Sequence, residues 1–294
     1  MRIDGQRYEL ATNHLESAPL RESFNRLAVK TFGLDFTPWH RAGAWGDGYR
    51  PYTLLYDGEA VSNVSVNILD FLLDGMPRRY IQLGTVMTDE RFRGRGLCRA
   101  LLERVLAEWT PAADAVYLFA NGSVLDFYPK FGFVPRTETG FSCFFARGDR
   151  PPMRRLRPDS PADRRLLEEA VTRGCPFSVL SMASPLSLAL FYWITALPDG
   201  FYYNDQWGAV VVASREGDTL TVWEVFGPPQ TPPELLTAPA GEAGGTLVYG
   251  FTPRDTRGLT GAPIVEKDDT LFLLKGGEDI FTGGARRFPL LSHA

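Results

Sequence analysis

Apolar and polar positions along the chain follow one of two periods, and the switches between them outline its elements. Residues 7–12 read as a short first strand. Leu20, Phe24, Leu27 and Phe32 then follow helical spacing, which gives a first helix one buried face. Residues 51–56 and 60–73 read as strands joined at Asp57-Gly58, a pair that favours a tight hairpin turn. In the second of these, Asn63, Ser65 and Asn67 alternate with Val64, Val66 and Ile68, so one face is polar. Asp74-Gly75 turns the chain into residues 81–88, which are apolar and rich in β-formers. Leu97, Leu101, Val105 and Trp109 return to a four-residue spacing and predict a helix. A strand over 115–120, a short helix opened by Asn121 and a strand over 136–146 complete the first half.

Gly148-Asp149-Arg150-Pro151-Pro152 has the composition of a linker. Beyond it the pattern starts again, with a segment at 153–158, a helical run over 162–172 and an apolar helix over 186–197. Strands follow at 201–203, 209–214 and 220–226, the last two joined at Glu216-Gly217-Asp218. A short helix opens at Pro232-Pro233-Glu234, and 247–252 and 271–275 read as further strands. This order predicts a mixed α/β (α+β) protein of two domains, residues 1–147 and 148–294, the second loosely repeating the first.

A length of 294 residues suits one large or two ordinary domains, and 44% apolar residues suffice for real cores. The net charge of −4 gives no reason to expect nucleic acid or an anionic membrane as partner. Cys98, Cys143 and Cys175 show no CxxC spacing and cannot all pair, which points to a reducing compartment. The N-terminal residues lack an apolar signal core, and the apolar run at 186–197 falls short of the roughly 20 residues of a membrane span. A soluble, cytoplasmic protein is expected.

The chemistry concentrates at Arg91-Phe92-Arg93-Gly94-Arg95-Gly96, between a predicted strand and a predicted helix. The first amides of a helix have no intrahelical partner and lie at the positive end of its dipole, so they attract anions. Glycine lets an anion approach the backbone closely. In a mildly acidic chain this local basic cluster points to a small anionic ligand. A second stretch, 121–133, follows its own strand. There Asn121 and Tyr128 are seven residues apart and share one helical face, Pro129 disfavours continuation, and Gly132 suits a left-handed exit. Asn121 also suits a helix cap, and Tyr128 a core position. Phe36, Trp39, Trp45, Tyr49 and Tyr52 crowd a glycine-rich stretch that either covers a core edge or walls an acceptor site. On the second reading Trp45 and Tyr49 face the acceptor; the polar face of Asn63 and Ser65 either is an exposed sheet face or lines the same cleft.

Arg91-x-x-Gly94-x-Gly96 resembles the pyrophosphate loop of the GNAT acetyltransferases, and the wider phrase from Val86 to Leu97 is similar to their Eis-like branch. The stretch from Asn121 through Phe127-Tyr128 to Gly132-Phe133 resembles the family's next motif. The resemblance covers the first half of the chain. It implies a GNAT fold, with a central, mixed, mostly antiparallel sheet flanked by helices. It implies an N-acetyltransferase that moves an acetyl group from acetyl-CoA to a primary amine of a small molecule or peptide by direct attack. Arg91, Phe92, Arg93, Gly94, Arg95, Gly96, Leu97 and Cys98 would hold the pyrophosphate, largely through backbone amides. The backbone of Val86 and Thr88 would pair with the pantetheine arm, Asn121 would lie beside the cofactor, and Tyr128 would be the general acid. In the Eis-like branch the terminal carboxylate serves as base, which would place Ala294 at the site; the other reading of the apolar stretch before it is a merely docked segment. A non-catalytic acyl-CoA sensor using the same loop is the alternative function, and self-association is left open.

In the second half, Gly227-Pro228-Pro229-Gln230-Thr231-Pro232-Pro233 stands after its own strand, without arginine and with four prolines that lack the N–H a phosphate needs. That half reads as a smaller, degenerate GNAT-like domain or as an unrelated small α+β domain, in either case structural or acceptor-shaping. His14, His40 and His293 are the only histidines, and no G-x-S-x-G, P-loop or HExxH motif occurs, so hydrolase, nucleotidase and metal chemistry have no support. Asp70, Asp89 and Glu90 are base candidates by position alone.

Overall fold

A computed structural model describes residues 1–12, 14–266 and 268–293. A small hairpin, β1 (Arg2–Ile3) and β2 (Gln6–Arg7), precedes β3 (Glu9–Ala11). Helix α1 (Ala18–Phe32) starts where the Ser17 hydroxyl accepts the Leu20 amide, and stops at Gly33 with φ 70°. After α2 (Thr37–Arg41) come β4 (Tyr49–Tyr56), β5 (Glu59–Leu73) and β6 (Met76–Thr88), joined at the two Asp-Gly turns. Then follow α3 (Leu97–Trp109), β7 (Ala115–Ala120), β8 (Phe133–Pro135) and β9 (Thr139–Phe145). The helix expected to open at Asn121 is instead two 3-10 turns, Gly122–Val124 and Tyr128–Phe131. Pro129 inside so short a segment prevents an α-helical ladder from propagating.

The second half contains β10 (Arg154–Arg155), α4 (Pro161–Thr172), β11 (Leu180–Met182), α5 (Leu186–Thr195) and β12 (Phe201–Asn204). It continues with β13 (Ala209–Glu216), β14 (Thr219–Phe226), β15 (Gly245–Tyr249), β16 (Thr260–Pro263) and β17 (Thr270–Leu274). The short helix at Pro233–Leu236 is again of 3-10 type.

The strands form two large sheets of matching plan. In the first the order is β3-β4-β5-β6-β7-β17-β8, and in the second β10-β12-β13-β14-β15-β9-β16. Each is antiparallel except for one parallel pair, β6 with β7 and β14 with β15. The repeat suggested by the order of elements is therefore present in the topology. The halves also exchange a strand. β9 lies between β15 and β16 of the second sheet, and β17 lies between β7 and β8 of the first. The strand expected to close the first half thus belongs to the other sheet, and a boundary at 147/148 does not separate the sheets into self-contained units. β11 adds to this coupling by pairing with the end of β5, opposite Phe71 to Leu73.

α3 covers one face of the first sheet with Leu97, Leu101, Leu102 and Val105, against Val64, Val66, Ile81 and Leu83. The opposite face joins the second half in one apolar core that holds Phe71, Tyr80, Tyr117 and Leu271 together with Leu180, Trp193, Phe201 and Val210. Phe288 enters this core and stacks on Tyr117 with centroids 4.0 Å apart. The apolar C-terminal stretch is therefore docked. Among the described residues, no helix is long and apolar enough to cross a membrane.

Candidate functional site

β6 and β7 pair only from Tyr80 opposite Ala115 to Leu83 opposite Leu118, then separate. The gap opens into a cleft of about 740 Å³ between the continuation of β6, the start of α3 and the segment after β7. On the other side of β6 the register with β5 shifts, since Asn63 faces Met87 while Ser65 faces Gly84. This bulge places Thr85 at φ 46° on the cleft wall. A β-branched residue resists that conformation, so its surroundings must enforce it.

They do so through a buried polar chain. His14 Nε2 lies 2.8 Å from Thr53 Oγ1, whose hydroxyl donates to Asn63 Oδ1 at 2.8 Å. Asn63 Nδ2 donates to Ser65 Oγ and to the Thr85 carbonyl, both at 2.9 Å. Ser65 Oγ donates to Tyr49 OH at 2.9 Å, and Tyr49 OH lies 2.7 Å from Thr85 Oγ1. Thr85 is thus held by both its carbonyl and its side chain. Burial lowers the His14 pKa to about 4 and raises that of Tyr49, so both are neutral near pH 7.

At the far end of β6 the glycine–arginine turn meets α3. Gly94 and Gly96 have φ 76° and 79°, and Gly96 is the residue on which the helix starts. The first helical amide bonded back within the helix is that of Ala100, to Gly96 O, which leaves the amides before it at the positive end of α3. Phe92, Arg93, Gly94, Gly96, Leu97 and Cys98 line the cleft, together with Val86 and Thr88. Arg91 and Arg95 do not. Arg91 is bound to Asp89 through its backbone amide and guanidinium, and Arg95 donates to Arg91 O and lies over the Phe92 ring. Asp89, held well below the usual carboxylate range by Arg91 and further paired with Lys30, braces the turn and is no base. Asp70 is likewise lowered, by Arg79. Arg99, one turn into α3, also lines the cleft and went unmarked by the motif.

Tyr128 also lines the cleft, its ring packed against Phe127, Phe133 and the exchanged strand's Phe272. Burial raises its pKa and keeps it protonated. The Cys98 thiol is pushed up to about 12 by burial, so it is no nucleophile at neutral pH. Asn121 lines the cleft and accepts from the Ser123 amide, which is a capping role.

Residues 12–133, which contain the whole cleft, match the family model described as "Acetyltransferase (GNAT) family". The chain carries a GNAT acetyltransferase domain. Several solved structures share its fold over nearly the full length. A probable N-acyltransferase from Enterococcus faecalis is 15% identical with TM-score 0.58, covering 91% of this chain and 72% of that one. Eis1 from Mycobacterium abscessus is 14% identical with TM-score 0.52, covering 90% and 73%. A putative acetyltransferase from Pyrococcus horikoshii is 12% identical with TM-score 0.51, covering 94% and 91%. At such identities the likeness is one of fold. No curated protein matches the chain by sequence. GNAT enzymes take their acyl group from acyl-CoA, and the splayed, amide-lined cleft of this GNAT domain fits such a group.

A second cavity of about 330 Å³ adjoins the cleft of the GNAT domain, sharing Gln82 and Phe119 with it. Phe36, Trp39 and Tyr49 wall it from the first half, and Leu188, Phe191 and Tyr192 of α5 from the second. α2 and α5 are tied by Trp39 Nε1, which donates to Ser187 O at 2.9 Å. Asp269 and His293 complete the lining. Of Trp45, Tyr49, Asn63 and Ser65, only Tyr49 lines this cavity. Trp45 is buried and stacked on Trp39, buttressing the wall from behind. Asn63 and Ser65 are buried and serve the bulge, because the polar face of β5 turns inward rather than to the cleft. Ala294 lies outside the described residues. Gln82, a polar residue in an apolar strand, was readable as unusual. Phe191, Tyr192, Asp269 and His293 reach the site only through the strand exchange and the docking of the second half, which local pattern does not reveal.

Proposed function

We propose that the chain is an acetyl-CoA-dependent N-acetyltransferase that acts on a primary amine by direct transfer. The observation that supports it best is the convergence of three features in one cleft: the strained bulge at Thr85, the free amides at the start of α3, and the protonated Tyr128. The Arg93–Cys98 backbone would hold the pyrophosphate, and Val86 and Thr88 would run beside the pantetheine arm. Acetyl-CoA, when bound, supplies the thioester carbonyl that the amine attacks. Tyr128 donates its hydroxyl proton to the departing sulfur, and a proton lost by the new amide nitrogen restores the phenol. An ammonium and a thioester thus become an amide, a thiol and one released proton.

Replacing Tyr128 by Phe tests this reading. Only the proton is removed, because the ring keeps its packing. Turnover should fall by about 10²–10⁴-fold, the range of a general acid, while acetyl-CoA affinity stays within a factor of about three. Thiol release at saturating substrate measures the first and calorimetry the second. An unchanged rate, with chemistry shown to limit turnover, reduces Tyr128 to a packing residue.

A further inference from the structure

The aromatic cavity beside the cleft contains two polar groups that the protein itself leaves unsatisfied. Gln82 is 1% exposed, yet its Oε1 has no hydrogen-bond partner among the described residues. His293 Nε2 is buried and equally without a partner among them. Buried polar atoms are rarely left unpaired, because each costs free energy that a ligand can recover. Both residues line the same cavity, and Gln82 also lines the cleft, so it stands at the junction of the two.

The rest of the lining narrows what fits. His293 is fixed on three sides. Its ring stacks on Phe119 at 3.9 Å, its carbonyl accepts from Tyr192 OH at 2.7 Å, and its Nδ1 lies 3.4 Å from Asp269 Oδ2. Among the described residues, Asp269 is the only carboxylate in the lining, and no lysine or arginine joins it. The other walls are flat aromatic or aliphatic. A volume of about 330 Å³ lies at the lower end of small-molecule sites, which favours a compact ligand.

We infer that this cavity binds a small primary amine with a flat apolar body, its ammonium held at the junction by Gln82, His293 and Asp269. Aromatic faces favour both the apolar body and the cation. His293 Nε2 takes one proton from the ammonium and passes it to water, leaving the neutral amine beside the cleft. This fills the role of base that the GNAT domain's own carboxylates do not. The inference deepens the acetyltransferase reading and rests on it for the proton step, whereas binding of the amine can be measured without turnover.

The probes are 2-phenylethylamine, its neutral analogue 2-phenylethanol, and spermine as a flexible polycation. Titrations of the whole chain without acetyl-CoA should show the arylalkylamine bound at least tenfold more tightly than either of the others. Gln82→Leu should weaken the amine at least fivefold and leave or raise Tm, since the replaced amide oxygen has no partner in the free protein. Asp269→Asn should weaken the amine and leave 2-phenylethanol unchanged. His293→Gln should lower kcat by about 10²-fold with KM for the amine changed by less than about threefold. Equal affinity for amine and alcohol, preference for spermine, or a Gln82→Leu variant that loses Tm while binding normally would overturn the assignment of the cavity. Wild-type binding as expected but without turnover would overturn the acetyltransferase reading and the proton step, and leave the binding site standing. Normal kcat in His293→Gln would remove His293 as base alone.

Discussion

Cutting the chain between residues 147 and 148 leaves the first fragment with β9, whose partners are gone, and without β17, which sits between β7 and β8. β17 contributes Leu271, Phe272 and Leu273, each nearly fully buried. Burying a side chain of this kind is worth about 1.5–3 kcal/mol, so their loss removes roughly 5–9 kcal/mol. That is comparable with the whole stability of a typical domain, about 5–15 kcal/mol. β8 would also lose its ladder partner, and Tyr128 would lose the Phe272 ring beside it. We expect fragments 1–147 and 148–294 expressed separately to show no cooperative thermal transition, and their co-expression to restore one complex that binds acetyl-CoA. Circular dichroism melts and calorimetry on the three preparations measure this. A lone 1–147 fragment with a sharp melt and full-length affinity would show that β9 can replace β17 in the first sheet, and the argument from exchange would fail.

Gly94→Val with Gly96→Val should abolish acetyl-CoA binding by calorimetry, because β-branched residues at positive φ distort the turn and cover its amides. A strain of about 1–2 kcal/mol per residue should lower Tm only modestly, and retained affinity would refute the backbone-cradle reading. Asn63→Leu strips partners from Thr53, Ser65 and the Thr85 carbonyl, at about 1–3 kcal/mol for each buried group left unpaired; it should lower both Tm and turnover, and a variant with normal turnover would detach the bulge from catalysis. His14 has a folded pKa of about 4 against 6.5 unfolded, so its contribution is intact above about pH 6.5 and fades as pH falls toward 4. His14→Leu should therefore narrow the gap in stability between pH 7 and pH 4.5 in denaturant titrations, and an unchanged gap would refute the assignment.

The local chemistry was legible because it is written in contiguous residues. Gly94 and Gly96 mark the turn by their need for positive φ, and Leu97, Leu101 and Val105 mark the buried face of α3. Strands β13 and β14 were readable as two strands joined by the turn at Gly217, to within two residues. Which sheet a strand joins is another matter. Thr139–Phe145 and Thr270–Leu274 both read as strands, but a run of that length carries no label for its neighbours. Sheet membership was decided by pairing over long sequence distances, as in Leu247 opposite Cys143 and Leu271 opposite Phe119. The polar face of β5 misled for a related reason. Asn63 and Ser65 alternate as residues facing solvent or a ligand would, and only the register shift against β6 shows that their partner is the bulge. Of the aromatic stretch at 36–52, Phe36, Trp39 and Tyr49 do line a cavity, but much of that lining comes from the second half.

The second half repeats the parallel pair, and the fate of its own cleft follows from what fills it. β14 and β15 pair up to Val222 opposite Tyr249, and β14 runs on to Phe226, as β6 runs past β7. Here the chain itself occupies the space. Ser178 Oγ donates to Glu224 at 2.6 Å, and Leu290 N donates to the Gly250 carbonyl at 2.8 Å. Burial pushes the Glu224 carboxyl up to about 7, as expected of a group sealed from water. The turn after β14 carries prolines instead of the free amides that precede α3, and 3-10 turns stand where a helix would begin with an anion site. This half instead supplies β17 behind Tyr128, and α5, Asp269 and His293 at the cavity beside the cleft. Calorimetry should therefore give one acetyl-CoA per chain. Substitutions in the turn and cleft of the first half should alter that affinity, while changes at Gln230 or Thr231 should not. A stoichiometry of two, or a loss of affinity on changing Gln230, would show that the second cleft opens and binds.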